Sequence, residues 1–144
     1  MNHLVFLDPR AGELEKILSG VKSMLIRELN PENPTTYPLE AGDSLYFLWS
    51  RQETIIRGMA SIVRVLPVIA GKAGNISHDL KEMQPRLQLT ETQFEYWSSK
   101  QNVLLVEFNF AHKIPSIQVS LVRINNQADW LVFKELNNIK EVQE

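Results

Sequence analysis

Hydrophobic and polar residues alternate most clearly in the middle of the chain. Between Gly42 and Ser50, alternate positions place three apolar side chains on one face of an extended segment, namely Leu45, Phe47 and Trp49. The segment from Ile55 to Leu66 is rich in β-branched residues and follows the short polar stretch Arg51-Gln52-Glu53. We therefore predict a β-hairpin that turns at residues 51–53.

Other short apolar runs are each bounded by turn-forming residues and predict further strands. They are His3 to Leu7, Lys22 to Arg27, Val103 to Phe110, Ile117 to Ile124 and Trp130 to Phe133. The last two flank a predicted turn at Asn125-Asn126-Gln127. The whole chain thus contains six or seven predicted strands.

The first predicted helix begins at Asp8-Pro9, a pair that suits an N-cap followed by the first helical position. It ends near Ser19, because Gly20 can adopt the left-handed conformation that closes many helices. A short helix is predicted over Ser77 to Met83, and a capping box at Thr90-x-x-Gln93 begins a further helix that ends near Lys100.

Three polar or glycine-rich segments interrupt this pattern. We interpret NPENPTTYP, residues 30–38, and AGKAGN, residues 70–75, as loops, and we expect the last eleven residues to fray. Since helices occur only at the first crossover and in the middle, a doubly wound α/β fold is not predicted. We predict one α+β domain over residues 1–144, a small, partly open mixed β-barrel with peripheral helices.

Composition narrows the possible functions without choosing one. A net charge of -2 gives no overall attraction for nucleic acid, so any polyanion must bind a local basic patch. There is no cysteine, and no apolar run reaches the roughly 20 residues of a membrane-spanning helix. The N-terminal residues lack the basic region, apolar core and small-residue cleavage site of a signal peptide, so we expect a cytoplasmic protein without membrane association.

The stretch GVKSMLIRE, Gly20 to Glu28, carries the most informative charges. Lys22 and Arg27 are five residues apart, which places them on opposite faces of a regular strand unless Lys22 precedes the pleat or a bulge intervenes. A lysine that points into a concave barrel mouth needs an anionic partner or a lowered pKa. The alternative is a solvent-exposed Lys22 with Arg27 paired to a nearby carboxylate.

The order of these elements resembles the ASCH family of PUA-like barrels. The resemblance rests on Gly20, Lys22 and Arg27, on Gly42-Asp43 before the strand SLYFLW, on IIRGMASIVRV, and on the late strand VLLVEF. It covers about residues 3–110, leaving residues 111–144 as additional strands and a polar tail. It implies a basic cleft beside the first helix that binds RNA or a nucleotide-like ligand.

Some proteins with this pattern are small amidohydrolases that deacylate a modified cytidine. The resemblance implies that they use the lysine, a threonine three residues later and a glutamate from before the later helix. Here Lys22 matches the lysine, Leu25 occupies the threonine position, and Glu82 is the available glutamate. Leucine has no hydroxyl, and Ser23 is the nearest substitute, so we favour ligand binding over catalysis by Lys22, Ser23 and Glu82.

Recognition of RNA or a nucleoside needs a cation for phosphate and an aromatic face for the base. Our candidates are Lys22, Arg27, Arg10 in the first helical turn, Arg51 in the hairpin turn, and Trp49. Trp49 alternates with core residues, so we favour a buried position for it. The three histidines are dispersed, and we expect no metal or cofactor. An alternative without a ligand is an interaction module that forms a homodimer through IQVSLVRI and DWLVF.

Overall fold

The computed structural model describes residues 1–29, 39–50, 52, 54–70, 75–120 and 130–140. Six strands form one sheet: β1 (Asn2–Phe6), β2 (Met24–Glu28), β3 (Ser44–Leu48), β4 (Ile55–Ile69), β5 (Asn102–Gln118) and β6 (Trp130–Phe133). The helices are α1 (Glu13–Leu18), α2 (Ser77–Leu87) and α3 (Glu91–Ser98). Short 3₁₀ helices occupy Pro9–Ala11 and Leu136–Asn138.

The strands follow the order β2-β5-β4-β3-β1-β6. Only the β1–β3 pair is parallel among these strands, and its crossover contains α1. The sheet curls into a half-barrel, which confirms the predicted α+β class and partly open barrel. Its two edge strands, β2 and β6, approach each other closely enough for Arg27 to contact Trp130. The opening of the half-barrel therefore lies between these edges.

Both faces of the sheet carry buried clusters, because successive side chains point to opposite faces and runs such as Leu4 and Val5 on β1 are apolar at consecutive positions. On β1, Val5 packs in the cluster that contains α1, whereas Leu4 packs in a cluster with Phe133 and Ile139 near the C-terminal 3₁₀ helix. A third cluster joins α2 to β2 and β5, and includes Met24, Ile76, Leu80, Leu87, Val103 and Leu105. Helices thus fix β2 from both sides, with α1 on one face and α2 on the other.

The predicted caps are present at the helices. The Asp8 side chain accepts a hydrogen bond from the Arg10 backbone N–H at 2.9 Å, and Gly20 has φ 84° after α1. The Thr90 and Gln93 capping box begins α3. The single predicted first helix is wrong, because Gly12, at φ 63°, separates a 3₁₀ turn from α1.

The hairpin of β3 and β4 is confirmed, but the strand predicted at Ile117 to Ile124 is wrong as a separate element. Its first residues belong to β5, which runs continuously from Asn102 to Gln118. Three register shifts against β4 absorb irregular residues such as Pro115, and Phe110 takes φ 56°. Residues 121–129, with the predicted turn, lie outside the described residues.

Two further predictions need correction. The helix α2 continues past Met83 to Leu87 despite Pro85 in its last turns. The polar tail also has order, because Ile139 is buried and Lys140 bridges to Val119. The predicted loop at 30–38 and residues 71–74 of the predicted loop at 70–75 fall outside the described residues, as does the end of the tail.

Candidate functional site

A cleft of about 900 Å³ lies along the opening of the half-barrel, and we call it the seam cleft. The end of β1, the residues after it, β2, α3 and the start of β6 all contribute to its walls. Its polar and aromatic lining residues include Arg10, Glu13, Arg27, Glu28, Ser50, Gln52, Gln93, Tyr96, Trp97 and Trp130. The cleft combines cations, aromatic rings and amide groups in one concave surface.

Arg27 and Trp130 connect the two edge strands across this cleft. The Arg27 guanidinium carbon lies 4.4 Å from the centroid of the Trp130 ring, within the range of a cation–π contact. The indole N–H of Trp130 donates to Nδ1 of His3 at 3.1 Å. Since both residues are buried or nearly so, this hydrogen bond holds the ring beneath Arg27 in a fixed orientation.

His3 is the middle member of a hydrogen-bonded chain. Its Nε2 lies 2.9 Å from Oδ2 of Asp43, while Nδ1 accepts the Trp130 N–H. A ring that accepts at Nδ1 and donates at Nε2 is the neutral tautomer. Burial, opposed by the Asp43 carboxylate, lowers the pKa of His3 and therefore favours the same neutral form.

The Gly42-Asp43 pair just before β3 has a structural role for each of its residues. Gly42 has φ 94°, a left-handed conformation that favours glycine, and the Asp43 carboxylate accepts the Glu40 backbone N–H at 3.1 Å. Burial raises the pKa of Asp43, but hydrogen bonds from His3, the Met1 amino group and Glu40 outweigh it, so the pKa lies below its usual value. Asp43 is thus an ionised anchor for His3.

Aromatic residues of α3 form the opposite wall. The Tyr96 and Trp97 rings meet edge to face, with centroids 5.0 Å apart. Tyr96 is exposed, and the Lys100 ammonium group lies 4.7 Å from the centroid of its ring. Because the capping box fixes the start of α3, Gln93 and Trp97, one turn apart, project toward the same cleft.

Lys22 lies just before β2 and is almost fully buried, with 2% of its surface exposed. Its ammonium group lies 3.6 Å from Oε2 of Glu13 and donates to the backbone carbonyl of Leu87. Burial lowers the pKa of Lys22, and the Glu13 carboxylate opposes this effect. Lys22 does not line the seam cleft among the residues the structure describes, but Glu13 does. The carboxylate partner of Lys22 is thus Glu13, whose Oε1 also accepts the Asp8 backbone N–H at 2.7 Å.

The remaining sequence candidates lie in different places. Arg10 is exposed and lines the seam cleft. Glu82 lies on the exposed side of α2, where its Oε1 is 3.2 Å from Nε2 of His78 rather than near Lys22. The Ser23 backbone N–H donates to the Arg86 carbonyl at 2.9 Å, and Ser23 is not among the described cleft residues. Arg51 lies outside the described residues.

The buried position favoured for Trp49 is wrong. A register shift between Phe47 and Leu48 breaks the alternation, so both of those residues are fully buried and Trp49 is 40% exposed. Trp49 lines a second groove of about 560 Å³, outside the seam cleft.

The sequence analysis did not predict two residues of the site: Glu13, which pairs with Lys22, and Trp130, which lies beneath Arg27. Trp130 is separated from Arg27 by more than a hundred positions, and a single apolar strand predicts no particular partner. Glu13 is an ordinary acidic residue of a first helical turn.

Among the described residues, no three His, Cys, Asp or Glu side chains form a group that could hold a metal ion. Within that same part of the chain, the helices are too short or too polar to cross a membrane.

Comparisons with known proteins identify the fold. The sequence matches no protein family description and no curated protein. The structure is similar to a crystal structure of ASCH from Zymomonas mobilis, with a TM-score of 0.68, 12% identity, and coverage of 95% of this chain and 90% of that chain. A crystal structure of a point mutant of the same bacterial protein gives a TM-score of 0.69 at 12% identity, covering 93% of this chain and 91% of that one. This chain therefore has the ASCH-domain fold, as the order of its elements predicted.

Proposed function

We propose that the chain binds RNA or a nucleoside-like ligand in the seam cleft. The observation that carries this proposal is the Arg27 guanidinium held 4.4 Å above Trp130, in a cleft that Tyr96 and Trp97 also line. Cations beside aromatic faces are the combination that single-stranded nucleic acids require. The fold is compatible with either RNA binding or hydrolysis.

Each residue would have a separate task. Arg27 is planar and preoriented by Trp130, so it would bind phosphate or a base edge with two parallel hydrogen bonds. Trp97 and Tyr96 would stack against a base, and the amides of Gln93 and Gln52 would read its edge. Arg10 would meet a second phosphate at the cleft mouth.

The charge balance of the cleft limits the expected affinity. The lining holds the guanidinium groups of Arg10 and Arg27 and the carboxylates of Asp8, Glu13 and Glu28, so the basic cleft that the family resemblance implied is not the net charge of these residues. Binding should therefore depend on stacking and hydrogen bonds at least as much as on charge. We expect a shallow salt dependence, of about 0.7 in log K per log salt for each phosphate contact.

The test is a binding titration with a fluorescein-labelled single-stranded RNA decamer and, separately, with cytidine monophosphate. We expect Arg27→Ala and Trp97→Ala each to weaken binding of both probes by about tenfold, the effect of losing one stacking or charge-assisted contact. Lys81→Ala, on an exposed position of α2, is the matched control and should bind like the wild type. Absence of binding of both probes, or equal affinity in all variants, would contradict the proposal.

A second candidate function is hydrolysis of an N-acylated cytidine, and the buried Lys22–Glu13 pair favours it. Water would attack the acyl carbon, the amide C–N bond would break, and the water proton would pass through Glu13 to the leaving amine, while Lys22 holds the Glu13 carboxylate in place. Against this candidate, Leu25 supplies no hydroxyl at the position the family resemblance highlights. Release of cytidine that is lost in Lys22→Met would support catalysis, and no release above the uncatalysed rate would leave binding alone.

A further inference from the structure

A second groove, like the seam cleft, is lined by an aromatic ring and by cationic side chains. It has a volume of about 560 Å³ and is lined by Leu14, Glu15, Leu18, Trp49, Arg57, Lys113, Ile114 and Ser116. The sides come from α1, the end of β3 and the distal parts of β4 and β5. Arg57 and Lys113 are both exposed on their strands.

Trp49 is the central aromatic residue of this groove. Its side chain is 40% exposed, and its indole N–H donates to Oε1 of Glu15 at 3.3 Å. That hydrogen bond restrains the ring at its edge, and the apolar side chains of Leu14 and Leu18 line the same groove. Among the lining residues that the structure describes, Arg57 and Lys113 supply two cations and Glu15 one carboxylate.

The two concave surfaces are contiguous along the chain. Glu13 lines the seam cleft and Leu14 lines the second groove, while Ser50 lines the cleft and Trp49 lines the groove. The two surfaces therefore share backbone walls at residues 13–14 and 49–50.

We propose that the second groove is an additional RNA subsite, in which Trp49 stacks a base and Arg57 and Lys113 contact the backbone of a nucleotide adjacent to the one in the seam cleft. The inference rests on the proposed function and makes it more specific, because a free nucleoside would fill the seam cleft alone. Charge complementarity and continuity with the cleft favour single-stranded RNA, since successive stacking platforms along a basic path are its usual binding surface.

The test compares a long probe with a short one in the full chain. We expect Trp49→Ala to weaken binding of a labelled single-stranded RNA decamer by about tenfold and to leave cytidine monophosphate binding unchanged. Phe110→Ala is the control, because Phe110 is a 77% exposed aromatic residue that lines neither surface. Circular dichroism verifies that each variant is folded.

A second variant makes the test independent of the Trp49 substitution. The double change Arg57→Ala and Lys113→Ala should reduce the slope of log K against log salt by about 1.4 for the decamer, which is two phosphate contacts. It should leave the slope for cytidine monophosphate unchanged. Lys81→Ala should alter neither slope.

The outcomes separate this inference from the proposed function. If both probes bind the wild type and the groove variants change neither, the second subsite does not exist and the seam cleft remains the binding site. An equal loss for decamer and mononucleotide in Trp49→Ala would also overturn the inference, because Trp49 would then act on the cleft itself. If neither probe binds the wild type, the proposed function and the subsite both fail.

Discussion

The ammonium nitrogen of Lys22 lies 3.6 Å from Oε2 of Glu13, although only 1% of the Lys22 side chain and 14% of the Glu13 side chain are exposed. A buried ammonium group requires such a partner, because an uncompensated charge in the interior costs several kcal/mol. Glu13 also lines the seam cleft, so the ion pair links the buried end of β2 to the proposed binding surface. A substitution of Glu13 alone can therefore change both stability and ligand binding, and a double substitution of Glu13 and Lys22 is needed to tell the two effects apart.

Glu13→Gln should destabilise the protein by about 3 kcal/mol, because it leaves the Lys22 charge buried with a neutral partner. Urea denaturation followed by circular dichroism measures this free energy of unfolding. The control is the double variant Glu13→Gln with Lys22→Met, which removes both charges and keeps an apolar stem of similar length. It should recover most of the lost stability, and a double variant as unstable as Glu13→Gln would show that the pair is not the cause.

Lys22 should also make stability depend on alkaline pH. Burial lowers its pKa below the usual 10.5, so between the lowered pKa and 10.5 the unfolded chain holds a proton that the folded protein has released. The free energy of unfolding should therefore rise with pH across that window, measured relative to Lys22→Met. A difference between wild type and Lys22→Met that stays constant as the pH rises would contradict the lowered pKa.

Local sequence patterns identified Lys22 as a candidate site residue but did not identify its partner. Gly20 ends α1 as predicted, but the sequence left open whether Lys22 lies on the strand, before it or in solvent, and the structure has it before β2, buried beside a carboxylate. The partner could not be chosen from sequence, because Glu13 and Glu82 are both acidic residues on short helices. The tertiary structure decides between them, because it brings Glu13 to Lys22 and leaves Glu82 on the exposed side of α2.

Irregular strands limited the fold prediction in the same way. A period of two predicts a buried Trp49, but one register shift after Phe47 turns the ring outward. Bulges also join two predicted strands into β5 across Pro115. Such shifts depend on pairing with a distant strand and leave no local pattern, whereas the order of elements, which is local, was sufficient to predict the half-barrel.

His3 should make the protein sensitive to mild acid. Its pKa lies below the usual 6.5, so as the pH falls below 6.5 the unfolded chain takes up a proton before the folded protein does, and the free energy of unfolding falls. Asp43 adds a further loss as the pH falls below 3.8 toward its own lowered pKa. Denaturation at a series of pH values should show the first loss in the wild type and little of it in His3→Gln.

Protonation of His3 would also alter the cleft. A doubly protonated ring cannot accept the Trp130 N–H at Nδ1, so the support beneath Arg27 would be lost. The RNA binding that we propose should therefore weaken in mild acid together with the change in the Trp130 indole environment. Binding that is unaffected after His3 becomes charged would show that this hydrogen bond does not position Arg27.

The most direct test of binding in the seam cleft is a titration with cytidine monophosphate, followed through the indole N–H resonances of ¹⁵N-labelled protein. The chain has three tryptophans. Two of them, Trp97 and Trp130, line the cleft, and Trp49 lines the second groove as an internal control. We predict that the resonances of Trp97 and Trp130 shift in a saturable manner while that of Trp49 stays in place. Saturable shifts confined to Trp49, or no shift of any indole at millimolar nucleotide, would contradict the assignment of the cleft as the binding site.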